Sequence, residues 1–86
     1  MNYTIEISRP AVKILDSLDR TTESRIRERL KDLIHNPVDP RLSNQLETAK
    51  DKRYSRVGDW RIIYRIEGKK ILVVAIRHRR EVYKKL

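Results

Sequence analysis

Cysteine is absent from this 86-residue chain, so a disulfide framework and a thiolate zinc site are both excluded. Only two histidines are present, His35 and His78, and their separation argues against a protein-bound structural metal. Two glycines in all leave no glycine-rich loop to cradle a nucleotide phosphate, and no serine sits in a nucleophile elbow. The longest apolar run, Ile71–Ile76, is far short of a membrane span, so no membrane partner is expected. Met1–Pro10 has no charged start followed by an apolar stretch; no signal peptide is expected, and the cytoplasm is the expected compartment.

Acidic residues are scarce where basic residues are dense. The chain carries 21 Lys+Arg against 12 Asp+Glu, a formal net charge of +9. Residues 1–49 hold 8 basic and 8 acidic residues, whereas residues 50–86 hold 13 and 4, so the whole excess lies in the last segment. Charge of one sign gathered on one folded element points to a polyanionic partner, most often nucleic acid. The few carboxylates there (Asp51, Asp59, Glu67 and Glu81) fall mostly in turns or loops, which disfavours hydrolysis by a carboxylate pair.

The length suits one domain over 1–86. Tyr3, Ile5 and Ile7 alternate with polar residues and predict a strand. Ser8 precedes Arg9-Pro10, and Ala11, Ile14, Leu15 and Leu18 predict a helix over about 9–19. Thr21 and Thr22 are candidate caps for a second helix with Ile26, Leu30, Leu33 and Ile34 as its stripe, stopped by Asn36-Pro37. Arg25, Arg27, Glu28, Arg29, Lys31 and Asp32 read as its solvated face. Residues 37–51 read as a loop anchored by Leu42 and Leu46. From Arg53 the period is two, broken by turns at Gly58-Asp59 and Gly68-Lys69. The expected order is β-α-α-β-β-β, an α+β fold whose N-terminal strand and two-helix hairpin pack on an antiparallel sheet.

A two-residue turn at Gly58-Asp59 pairs Val57 with Trp60, Arg56 with Arg61, Ser55 with Ile62 and Tyr54 with Ile63. Trp60, Ile62, Tyr64 and Ile66 then face the core, and Arg56 and Arg61 stand side by side on the open face. Directly opposed like charges destabilise a sheet, and a phosphate between two planar guanidinium groups resolves the conflict. Alternatively both side chains splay into water or find Asp59 or Glu67. A second basic cluster, Arg77, His78, Arg79 and Arg80 with Tyr83, comes next on the adjoining strand.

The chemistry left open is RNA strand cleavage by the RNA's own 2′-hydroxyl. Arginines stabilise the charged phosphorane but are poor bases. His78 has the best intrinsic pKa for proton transfer, and Tyr83 can hydrogen-bond or stack on a base.

The run Arg56-Val57-Gly58-Asp59-Trp60-Arg61-Ile62-Ile63-Tyr64, then Ile71–Ile76 and His78-Arg79-Arg80-Glu81-Val82-Tyr83, resembles the RelE branch of the RelE/ParE toxin superfamily. The opening strand, Ser8…Pro10-Ala11, two helices and Asn36-Pro37 fit as well. The resemblance implies the toxin of a toxin–antitoxin pair, a ribosome-dependent endoribonuclease that cuts mRNA without metal or cofactor. Its implied partners are a cognate antitoxin protein, the ribosome and mRNA. It implies that Arg61 stabilises the transition-state phosphate, that Arg79 or Arg77 lies near the leaving oxygen, and that Tyr83 orients or stacks on the substrate. Lys52 and Arg56 match backbone-binding positions, and Arg53, Arg65, Arg77 and Arg80 are further candidate RNA contacts. Tyr54 stands where the family usually carries a basic residue, which leaves the general base open. The competing readings are a ParE-like gyrase inhibitor and a non-catalytic RNA- or ribosome-binding protein.

Overall fold

The computed structural model describes residues 2–80. Chain order is β1 (Thr4–Ile7), α1 (Arg9–Ser17), α2 (Arg20–His35), β2 (Asn44–Gln45), β3 (Arg53–Val57), β4 (Trp60–Glu67) and β5 (Lys70–His78). Ser8 ends β1 and opens α1: its backbone is extended and its Oγ accepts from Ala11 N at 3.3 Å, with Pro10 in the first turn. Leu18 is already extended, so α1 stops at Ser17, two residues short of the expected end. The cap of α2 is Asp19 rather than Thr21 or Thr22. Its carboxylate accepts from Thr22 N at 3.1 Å and from Thr22 Oγ1 at 2.7 Å, and these bonds hold its pKa below the ordinary carboxylate value. A full negative charge also suits the positive end of a helix better than a threonine hydroxyl. Asn36, extended ahead of Pro37, terminates α2 as expected.

The α+β architecture is borne out: both helices pack against one face of a five-stranded sheet ordered β1-β5-β4-β3-β2. The meander β3-β4-β5 is antiparallel, but β1 pairs with β5 in parallel, Ile5 beside Ile71 and Ile7 beside Val73. Parallel neighbours require a long crossover, and the helical hairpin together with β2, β3 and β4 supplies one. The stretch expected to be loop contributes β2, which pairs Asn44 with Tyr54 and Gln45 with Arg53.

Leu15, Ile26, Leu33, Ile62, Tyr64, Ile71 and Val73 are fully buried between the layers, with Trp60 and Ile66 partly buried at the margin. The Tyr64 hydroxyl lies 2.6 Å from Pro37 O and 2.5 Å from Ser43 Oγ. With a single proton to give, it donates to the carbonyl, so Ser43 is the donor in the second contact. Burial pushes the Tyr64 phenol pKa up, against opposing contributions from Ser43 and Arg53.

Strand β5 carries a bulge. Ile63 faces Ala75 but Tyr64 faces Val73, leaving Val74 as the extra residue. The bulge puts Ile71, Val73 and Ile76 on the core face although their spacing breaks the period of two. It also turns Arg77 to the opposite face, beside Arg61.

Candidate functional site

Gly58 has φ of +60° and Asp59 a negative φ, the pattern of a type II′ hairpin turn with glycine first. The turn therefore holds two residues, and the register is the expected one: Val57 with Trp60, Arg56 with Arg61, Ser55 with Ile62. Arg61 is also the cross-strand partner of Arg77. Arg56, Arg61 and Arg77 thus form one transverse row across β3, β4 and β5. The residues pairing on the other face, Ser55, Ile62 and Ile76, are buried under the helices, so the row lies on the open side. Arg56 is exposed; Arg61 and Arg77 are half-buried.

Tyr54 is the next residue of β3 on this face. The Arg61 guanidinium carbon lies 4.6 Å from the centroid of its ring. Arg65 comes after Arg61 along β4 and its Nε sits 3.0 Å from Glu67 Oε2. Lys52, just before β3, has Nζ 3.5 Å from Asp51 Oδ2. The face is thus strongly cationic, with an aromatic ring set among the guanidinium groups.

Two candidates belong elsewhere. Arg53 pairs with the buried Tyr64, and its Nε donates to Ser43 Oγ at 2.7 Å. It joins the polar cluster under the sheet and is not on the open side, because alternation from Tyr54 and Arg56 turns it inward. His78 pairs with Trp60, and their rings meet edge-on at 5.2 Å between centroids. That places His78 on the helix side, away from the arginine row, with Nδ1 accepting from Arg80 N at 3.3 Å. His78 therefore does not lie beside Arg61.

Arg79 ties the end of β5 to the β3–β4 turn. Its backbone N donates to Asp59 O at 2.7 Å, and its Nη1 is 3.9 Å from Asp59 Oδ1. Arg80 is exposed beside it. Tyr83 lies outside the described residues. Of the two arginines considered for the leaving oxygen, Arg77 shares the row with Arg61, whereas Arg79 sits at the turn.

Sequence reasoning passed over two contributors. Arg29, assigned to a solvated helix face, reaches across to β3 and donates from Nη1 to Ser55 Oγ at 2.9 Å and to Arg56 O at 2.7 Å. No pattern within α2 distinguishes it from Arg25 or Arg27. Ser8 does more than cap α1: its N donates to Val73 O at 2.9 Å and its Oγ to Val74 O at 3.0 Å, at the bulge. Among the described residues no three His, Asp or Glu side chains gather as metal ligands, and no helix is long and apolar enough to cross a membrane.

The model of the ParE toxin family of type II toxin–antitoxin systems (parDE) matches residues 5–83. The chain belongs to this toxin family. Its fold is similar to that of the toxin–antitoxin complex RelBE2 from Mycobacterium tuberculosis, with a TM-score of 0.78 at 24% identity over 91% of this chain and 99% of that one. It is similar as well to the archaeal RelE–RelB complex from Pyrococcus horikoshii OT3, with a TM-score of 0.79 at 29% identity over 92% and 97%. A mutant of the E. coli toxin RelE in the free state gives a TM-score of 0.79 at 19% identity over 98% and 93%. No curated protein sequence matches the chain. The RelE-like fold expected from the Arg56–Tyr64 block and the opening elements is borne out, and the protein is a toxin of a type II toxin–antitoxin system.

Proposed function

We propose that this toxin is a RelE-type endoribonuclease that cleaves mRNA on the ribosome and stops translation, held in check by a cognate antitoxin. The observation that carries the reading is the row Arg56–Arg61–Arg77 on the uncovered side of the sheet. Like charges directly opposed cost a sheet stability. A polyanionic chain lying along the row turns that cost into binding, with bidentate guanidinium–phosphate contacts.

In this reading Arg61, flanked on both sides, holds the scissile phosphate and stabilises its extra negative charge as the 2′-oxygen attacks. Arg77 lies on one side to meet the leaving 5′-oxygen, and Arg56 grips the adjoining phosphate. Lys52, Arg65, Arg79 and Arg80 extend the cationic surface for the rest of the strand. Guanidinium groups carry the charge, so no metal or cofactor is assigned a role. Tyr83 keeps the role its motif implies, that of orienting or stacking on the substrate.

A second reading, a ParE-type gyrase inhibitor, is favoured by the description of the matched family. It leaves the arginine row without a task. Mapping mRNA ends on ribosomes after induction separates the two: cuts in register with codons support the nuclease, and gyrase-trapped DNA breaks without such cuts overturn it.

A further inference from the structure

Arg61 is the crowded member of the row, facing Arg56 on one side and Arg77 on the other. Charge repulsion alone would push its guanidinium away from the sheet into water. Instead the group lies over the Tyr54 ring, 4.6 Å from its centroid and within the range of a cation–π contact. The contact is a consequence of register. Tyr54 pairs with Ile63, two residues beyond Arg61 on β4, so the two side chains are diagonal neighbours on one face, a spacing that long and aromatic side chains bridge. Tyr54 is itself held by strand pairing on both sides, to Asn44 of β2 and Ile63 of β4. The ring has two rotatable bonds and little freedom to lose, and so offers a fixed resting place to a flexible cation.

We propose that Tyr54 is the positioning residue for Arg61, its ring face rather than its hydroxyl holding the guanidinium over the sheet ready for phosphate. The inference rests on the reading of Arg61 as the phosphate-holding group. A guanidinium held in place before substrate arrives loses less freedom on binding and needs less reorganisation as charge develops. Such a ring does no proton transfer, so phenylalanine must serve as well as tyrosine.

The test compares Tyr54→Phe with Tyr54→Leu in the full-length toxin, reading cleavage of ribosome-bound mRNA and, by NMR, the ring-current shift of the Arg61 side-chain protons. Tyr54→Phe is expected to cut at close to the wild-type rate and to keep the shift. Tyr54→Leu, still apolar and still folded by its melting curve, is expected to lose the shift and to cut roughly 3- to 30-fold more slowly, the range a cation–π contact spans. A Tyr54→Phe protein as slow as Tyr54→Leu overturns the proposal and gives the task to the hydroxyl. A fast Tyr54→Leu protein, or a wild type without the shift, also overturns it. If the wild type cuts nothing on ribosomes, the nuclease reading falls by itself; a shift kept in Tyr54→Phe and lost in Tyr54→Leu still supports the pairing.

Discussion

Ser8 Oγ donates to Val74 O at 3.0 Å, joining residues 66 positions apart. The same oxygen accepts from Ala11 N, so one hydroxyl caps α1 and fastens the bulge in β5. The bulge decides which way Arg77 faces, and so the capping serine of the first helix is tied to the arginine row. Ser8→Ala removes both bonds and is expected to cost about 1–2 kcal/mol, some 4–8 °C of melting temperature per kcal/mol. Ser8→Thr keeps the hydroxyl and is expected to melt near the wild type. Ser8→Asp keeps the cap but sets a carboxylate against a carbonyl, and is expected to melt well below Ser8→Thr. Equal melting of all three would show that the bulge contact contributes nothing.

Arg61→Ala is expected to slow cleavage by about 100-fold or more, as losing a charge-stabilising donor does elsewhere. Its melting temperature is expected to change little, because the lost contact over the Tyr54 ring is offset by relief of the repulsion from Arg56 and Arg77. A drop in stability matching the loss of activity would mean that Arg61 holds the fold rather than the phosphate.

Arg77 and His78 are neighbours in sequence that end on opposite faces. Arg77→Ala is expected to slow cleavage at least about tenfold, on the scale of a lost charged contact. His78→Phe keeps the ring against Trp60 and is expected to leave the pH–rate profile between pH 6 and 8 unchanged. A profile that goes flat in His78→Phe would restore histidine as the proton-transfer group.

Affinity for a non-cleavable single-stranded RNA is expected to fall steeply with salt. Each phosphate contact removed is expected to lower the log–log slope by about 0.7. Arg56→Ala is expected to reduce the slope with little change in melting. Arg53→Ala is expected to do the reverse, because Arg53 Nε is engaged by Ser43 beneath the sheet. Titrations at several salt concentrations with parallel melts check both.

The buried Tyr64 phenol titrates above its ordinary value, chiefly through burial. The folded state therefore holds this proton more tightly than the unfolded state. The stability it contributes is complete below the unfolded pKa of about 10 and is lost as pH rises through the folded value. Tyr64→Phe leaves Pro37 O and Ser43 short of a partner and is expected to cost about 1–3 kcal/mol at neutral pH. It is also expected to lessen the loss of stability above pH 10, seen by denaturant melts at pH 8 and pH 11.

Much of the fold was legible because its signals are local. The alternation of Tyr3, Ile5 and Ile7, the stripe from Ile26 to Ile34 and the stop at Asn36-Pro37 each report on a few neighbouring residues. The cap of α2 was misread by a few positions because Asp19, Thr21 and Thr22 are all good caps, and the end of α1 chooses among them. β2 was missed because two residues carry no period; the strand exists through its partners in β3.

The hairpin register and its two opposed arginines could be read from the sequence, since a glycine able to take positive φ fixes a two-residue turn and the turn fixes the pairing. The facing of Arg77 could not. Strict alternation from Ile71 and Val73 puts Arg77 in the core and His78 outside, and only the bulge at Val74 reverses the two. Nothing near Val74 in the chain announces an extra residue; its carbonyl is held by a serine from the other end of the molecule. Sequence by itself determined the elements other than β2, the turn and the Arg56–Arg61 pair, because these depend on short-range sterics and periodicity. Tertiary structure alone decided that Arg77 joins that pair and His78 and Arg53 leave it, because a strand's facing beyond a bulge is set by the partners that hold it.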